Sequence, residues 1–134
     1  TWPVAAYDSA TTLVFAPEND TTDAGAFGFV PPLASSAPLL HVAGVALAPY
    51  LTARPSPIRA IKCDVQGADL RALVGLRPIL VEDRPLIVFE WEEEMATWQG
   101  DRWGDYEAFF AALDYDVTRI TTDFWDYVAR PRTR

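Results

Sequence analysis

Eight of the eleven prolines in this 134-residue chain fall at positions 3, 17, 31, 32, 38, 49, 55 and 57, so the chain before residue 58 is punctuated by proline throughout. Regular structure there must be short and interrupted. Val4 to Tyr7 and Thr12 to Phe15 have the residue types of two short strands around an Asp8-Ser9 turn, and Val42 to Leu47 reads as a weaker third. Glu18 to Gly28, rich in Asn, Asp, Thr and Gly, reads as a loop.

From Ile58 onward the pattern alternates β and α signals, the mark of an α/β chain with a parallel sheet covered by helices. Ile58 to Val65 is the first such strand. Gly67 opens a helical stretch carrying Leu70, Leu73 and Val74, punctuated by Gly75 and Pro78, and Leu86 to Phe89 is an apolar run short enough for a strand buried on both faces. Tyr106, Phe109, Phe110 and Leu113 recur at helical spacing behind Gly104-Asp105, which predicts an amphipathic helix. Val117 to Ile120 and Phe124 to Ala129 read as two closing strands.

Charge narrows the partners. Nineteen acidic against eleven basic residues give a net charge of -8, which repels phosphate backbones and disfavours both nucleic acid and an anionic membrane surface. The single Cys63 has no internal disulfide partner, as expected of a chain from a reducing compartment. No apolar run approaches the ~18 residues that span a bilayer. Thr1-Trp2-Pro3 has neither an initiator Met nor a signal-peptide pattern, so the expectation is a soluble, cytoplasmic chain whose first residue is a cut or processed end.

In an open α/β sheet ligands bind beyond the carboxyl ends of the strands, and two carboxylates occupy such places. Asp64 ends one strand ahead of Gln66-Gly67, and Glu90 closes the next. On neighbouring strands they would face one crevice, as a general base with an orienting or cation-binding partner. The plainer reading makes Asp64 a helix cap and Glu90 a solvated strand end. Trp91, Trp98 and Trp103 are interleaved with acids on what reads as a loop; residues 89–126 hold eleven acids against Arg102 and Arg119. Such a loop suits stacking on a sugar or other flat ligand, or else packs its indoles on a helix face behind a solvated acidic surface. The acids lack the spacing of a calcium loop, His41 stands alone, and Cys63 reads as an inert core thiol, so no metal site is expected. Gly25 to Gly28 is the nearest approach to a glycine-rich phosphate loop and has no helix behind it.

The run Ile61-Lys62-Cys63-Asp64-Val65-Gln66-Gly67-Ala68-Asp69-Leu70, continuing through Gly75 and Arg84-Pro85 to Glu90, resembles the middle block of the FkbM-type S-adenosylmethionine-dependent methyltransferases. Fainter likeness extends to Ala5 to Asp8, to Asp23-Ala24-Gly25, to Val42 through Leu51 and to Phe109 through Val117. Departures are Gln66 for a usual Glu, Asp69 for the next Glu, Cys63 for Ile and Ala48 for Asp. The resemblance implies a Rossmann-like class I methyltransferase sheet that is incomplete here, residues 1–134 being the C-terminal portion of a single domain with a strand and loop region before 58. A complete domain of that kind needs about 170 residues, and the absent part is its first strand, Gly-rich loop and first helix together with the second strand. It further implies methyl transfer from S-adenosylmethionine to a hydroxyl of a sugar or secondary metabolite. Asp64 would lie nearest the transfer centre, with Glu90 its partner in the acceptor crevice, Asp8 on the adenosine side and Trp91, Trp98 and Trp103 over the acceptor. The alternatives are a non-catalytic carbohydrate- or protein-binding module derived from that fold, and a carboxylate-pair hydrolase.

Overall fold

The computed structural model describes residues 3–17, 27–28, 39–122 and 125–133. Of the expected loop over 18–28, residues 18–26 with the Asp23-Ala24-Gly25 likeness lie outside the described residues, as does Phe124 of the last expected strand, while Phe27–Gly28 pairs as a short strand. The described residues form two four-stranded sheets. The first contains β1 (Ala5–Ala6), β2 (Thr11–Pro17), β3 (Phe27–Gly28) and β4 (Leu40–Val45), in the order β1-β4-β2-β3. β1 and β4 run parallel, while β2 runs antiparallel to β4 and β3. A 3-10 turn at Ala48–Leu51 leads out of it.

The second sheet contains β5 (Ala60–Cys63), β6 (Leu86–Glu90), β7 (Tyr115–Arg119) and β8 (Asp126–Pro131), ordered β5-β6-β8-β7. Only β5 and β6 are parallel; β8 enters antiparallel between β6 and β7. The parallel sheet expected from the alternating pattern is therefore a mixed one, because a parallel neighbour needs a crossover and the segment between β7 and β8 is too short to supply it.

Between β5 and β6 lie two helices, α1 (Asp69–Gly75) and α2 (Arg77–Asp83). Pro78 sits in the first turn of α2, where its missing N–H costs nothing, so it opens a helix. Glu93–Trp98 forms α3 and Trp103–Ala112 forms α4. Asp105 accepts a hydrogen bond from the Arg102 backbone N–H at 2.8 Å and so closes the start of α4. Arg84 stands in the left-handed region (φ 50°) and donates to the carbonyls of Leu113, Asp114 and Arg132, while the Tyr115 hydroxyl donates to the Pro85 carbonyl. The Arg84-Pro85 pair of the sequence block thus ties the end of α4 to the start of β6, which is a structural task.

Elements of the second sheet and its helices share one apolar core. Phe89 is its hub, stacked 5.6 Å from Tyr106, 5.0 Å from Phe110 and 5.6 Å from Tyr127. The first sheet buries far less: Leu13 packs with Ala68, flanked by Ala5, Tyr7, Phe15 and Val65. Its junction with α1 is tight, since a Cβ on Gly75 would stand 2.0 Å from the Tyr7 carbonyl oxygen.

Candidate functional site

β5 and β6 are parallel neighbours with Cys63 opposite Phe89, so Asp64 and Glu90 are the next residues along the two strands. The chain leaves β5 through Gln66 (φ 52°) and Gly67 (φ 86°), both left-handed. Gly67 is required twice over, by its φ and because a Cβ there would lie 2.6 Å from the Met95 backbone of α3. Gln66 holds the same region without that freedom, a local strain of the kind found at functional turns.

Asp64 is exposed and accepts a hydrogen bond from Lys62 Nζ at 2.5 Å. It does not cap α1, whose N-cap residue is Ala68 and whose first residue is Asp69. Glu90 is half-buried and pairs across the sheet with Asp126 of β8. Like charges directly opposite destabilise a sheet, and Lys62, opposite Val88 on the neighbouring strand, is a cation that both of them act on. Burial, reinforced by the negative charges of Asp64, Asp69, Glu92 and Asp126, pushes the Glu90 carboxyl up to about 7. Near neutrality Glu90 is therefore divided between its acid and carboxylate forms and can take or return a proton.

Beneath the pair lies Asp69, completely buried. Its two carboxylate oxygens accept hydrogen bonds from the backbone N–H of Val65 (3.4 Å) and of Glu90 (3.2 Å). Burial pushes this carboxyl up to about 6, and also raises the Cys63 thiol, whose Sγ lies 3.8 Å from the Asp69 carbonyl oxygen. Cys63 is a buried free thiol held in its protonated form.

The stretch read as a Trp-bearing loop is mostly helical: Trp98 ends α3 and Trp103 begins α4. Each helix turns its apolar residues inward (Met95 and Ala96; Tyr106 and Phe110), which leaves Glu93 and Glu94 on the outside. Trp91 and Trp103 meet edge to face at 5.2 Å, and Trp103 lies 4.6 Å from Tyr127. Both indoles pack on the core; Trp98 is 37% exposed on the last turn of α3. Trp125, 50% exposed, accepts the Trp91 backbone N–H at its carbonyl and so stands at the end of β6 beside Asp126. The Trp91 indole N–H is buried and has no partner among the described residues.

Asp8 sits at the turn after β1. Its carboxylate accepts from the Ser9 hydroxyl at 2.6 Å and from Arg71 at 3.3 Å. Arg71 also binds buried Asp101, at 2.7 and 3.0 Å, and the Gln99 carbonyl, while the Tyr7 hydroxyl donates to the Gln99 side chain. Through Arg71, Asp8 is joined to the turn between α3 and α4.

Sequence reasoning picked out Asp64 and Glu90 but missed Asp69, Trp125 and Asp126. Asp69 carried a usable signal, a carboxylate two residues after a turn glycine and directly before an apolar helical stretch. Asp126 and Trp125 could be found only from the insertion of β8 beside β6. Among the described residues, no group of three or more His, Cys, Asp or Glu is arranged to hold a metal ion, and no helix is long and apolar enough to cross a membrane. No protein-family model, curated protein or solved structure matches the chain.

Proposed function

We propose that this chain is the C-terminal portion of an S-adenosylmethionine-dependent methyltransferase that O-methylates a hydroxyl of a sugar or secondary metabolite. The observation that carries the reading is the placement of Asp64 and Glu90 at the carboxyl ends of adjacent parallel strands, where an open α/β sheet binds its ligands. The strand order supports it as well. A Rossmann-like methyltransferase sheet closes in an antiparallel hairpin whose last strand lies inside its partner, and β6, β8 and β7 have that arrangement.

Asp8, the residue on the adenosine side, already has one carboxylate oxygen on Arg71 and the other on Ser9. Bound in a complete domain, S-adenosylmethionine would supply an electrophilic methyl group. This chain's contribution is on the acceptor side. Glu90, divided between its two protonation states near neutrality, accepts the proton of an acceptor hydroxyl, and Asp64 with Lys62 provides a polar contact for it. The exposed Trp125, joined to Trp91 at the end of β6, offers a flat apolar ring at the same end of the sheet, suited to a sugar ring or a similar metabolite.

Incubation of the full protein bearing this chain with methyl-labelled S-adenosylmethionine and a panel of hydroxylated sugars and metabolites tests the reading. Transfer of label to one acceptor class is expected; no transfer to any of them, with the cofactor demonstrably bound, contradicts it. For the 134-residue chain alone calorimetry should detect negligible cofactor binding, and micromolar affinity would overturn that expectation.

A further inference from the structure

Asp69 is a buried carboxylate whose described partners include no cation. Its hydrogen-bond donors are two backbone N–H groups on different strand ends: Val65, the residue after Asp64, and Glu90 itself. Burying a charge this way is costly, and a core that needed only volume would use an apolar residue. The arrangement gains meaning from where the two N–H groups lie. They lie just beyond the paired stretch of β5 and β6, beside the two candidate acting carboxylates.

We infer that Asp69 is a positioning residue, which from inside the core clamps the ends of β5 and β6 and thereby sets how Asp64 and Glu90 stand toward each other. The role of the clamp in turnover rests on the methyltransferase reading; the clamp itself does not. Three features support it. Asp69 is the first residue of α1, so the helix start holds its main chain in place. The next residue, Leu70, donates its backbone N–H to the Tyr106 hydroxyl at 3.2 Å, which anchors that turn to α4. Tyr106 is itself fully buried and stacked on Phe89, the residue before Glu90. The clamp is therefore backed by the buried aromatic cluster around Phe89.

Glu90 is faced by Asp69 from α1, Asp64 and Lys62 from β5, Glu92 from its own strand end and Asp126 from β8. Asp69 is thus one of the charges that hold the Glu90 proton, in addition to bonding its backbone. The Glu90 titration therefore reports whether Asp69 stands against Glu90, which a change in stability alone would not.

The test is carboxyl NMR of the 134-residue chain, following Glu90 through pH 4 to 9 in the wild type and in Asp69→Asn, which keeps one acceptor oxygen and removes the charge. The Glu90 midpoint should fall by about half a pH unit or more, as expected for losing one nearby like charge. Should the variant fail to fold, amide exchange in the wild type decides. Val65 and Glu90 should lose protection together as pH falls through about 6, where Asp69 protonates, while the β6–β8 ladder amides keep theirs. An unmoved Glu90 midpoint in a folded Asp69→Asn chain, or exchange at Val65 and Glu90 that follows the rest of the sheet, overturns the clamp. In the full protein Asp69→Asn should lower kcat 10- to 100-fold with little change in acceptor KM, the loss typical of supporting residues. If the NMR effect is found and the full protein transfers no methyl group, the clamp stands and the methyltransferase reading falls.

Discussion

The two sheets have the same number of strands and very different cores. The second rests on a cluster centred on Phe89, with α1, α2 and α4 all contributing side chains. Among the described residues the first buries Leu13 against Ala68 and is also held by polar ties: Arg71 to Asp8, and Tyr7 to Gln99. A further tie runs from the connecting segment, where Arg54 forks onto Asp83 at 2.6 and 2.8 Å and the Ile58 N–H donates to the same carboxylate. Among the described residues, one sheet rests mainly on burial and the other more on attachment. The candidate acting pair belongs to the first kind, and Asp8 to the second.

Substitutions should separate these two modes. Phe89→Ala removes the hub and should cost about 3–5 kcal/mol, enough to unfold the whole chain in a denaturant titration. Leu13→Ala should cost about 2 kcal/mol, at the low end for a Leu truncation in a small cluster, and its loss should be confined to the first sheet. Equal loss of amide protection in both sheets of that variant would show one cooperative unit instead. Gly75→Ala forces a Cβ onto the Tyr7 carbonyl and should cost about 1–3 kcal/mol, loosening the first sheet while near-ultraviolet circular dichroism of the Phe89 cluster is retained.

The smallest effect is electrostatic. Glu90 and Asp69 are both raised, from 4.5 to about 7 and from 3.8 to about 6, so the folded chain binds more protons than the unfolded one across that window. Their contribution is therefore greatest at low pH and is lost as pH rises from about 4 to 7. Asp83, lowered by its bonds to Arg54, acts in the opposite direction and only at the acid end, where its stabilisation is lost as pH falls below 3.8. Tm should accordingly fall between pH 5 and 7.5 by an amount equivalent to about 1 kcal/mol, after allowance for solvent at half-exposed Glu90. Glu90→Gln should flatten the slope, and a slope unchanged in that variant would remove Glu90 as its source.

Much of the second region was legible because its signals are local. The apolar run before Glu90, the turn glycine at 67 and the helical spacing of Tyr106, Phe110 and Leu113 each specify an element without reference to the rest of the chain. Pro78 misled because proline punctuates a helix from inside and also opens one. The Glu92 to Glu94 run read as loop because a short helix that buries only Met95 and Ala96 has too little periodicity to register. What no local pattern carries is strand order. That β8 inserts beside β6, bringing Asp126 opposite Glu90 and Trp125 beside Trp91, follows from pairing across distant segments. The charge state of Glu90 was illegible for the same reason, since its neighbours come from three elements besides its own.

In the proposed reaction Asp64 and Glu90 act together on a bound hydroxyl. Its most direct test is turnover of the full protein and its Asp64→Ala variant with labelled S-adenosylmethionine and an accepted hydroxyl substrate. Asp64 is exposed and outside the core, so the variant should fold. A fall of about 100-fold or more in kcat is predicted, the scale of a lost acid–base or orienting group; full turnover in Asp64→Ala would contradict the assignment.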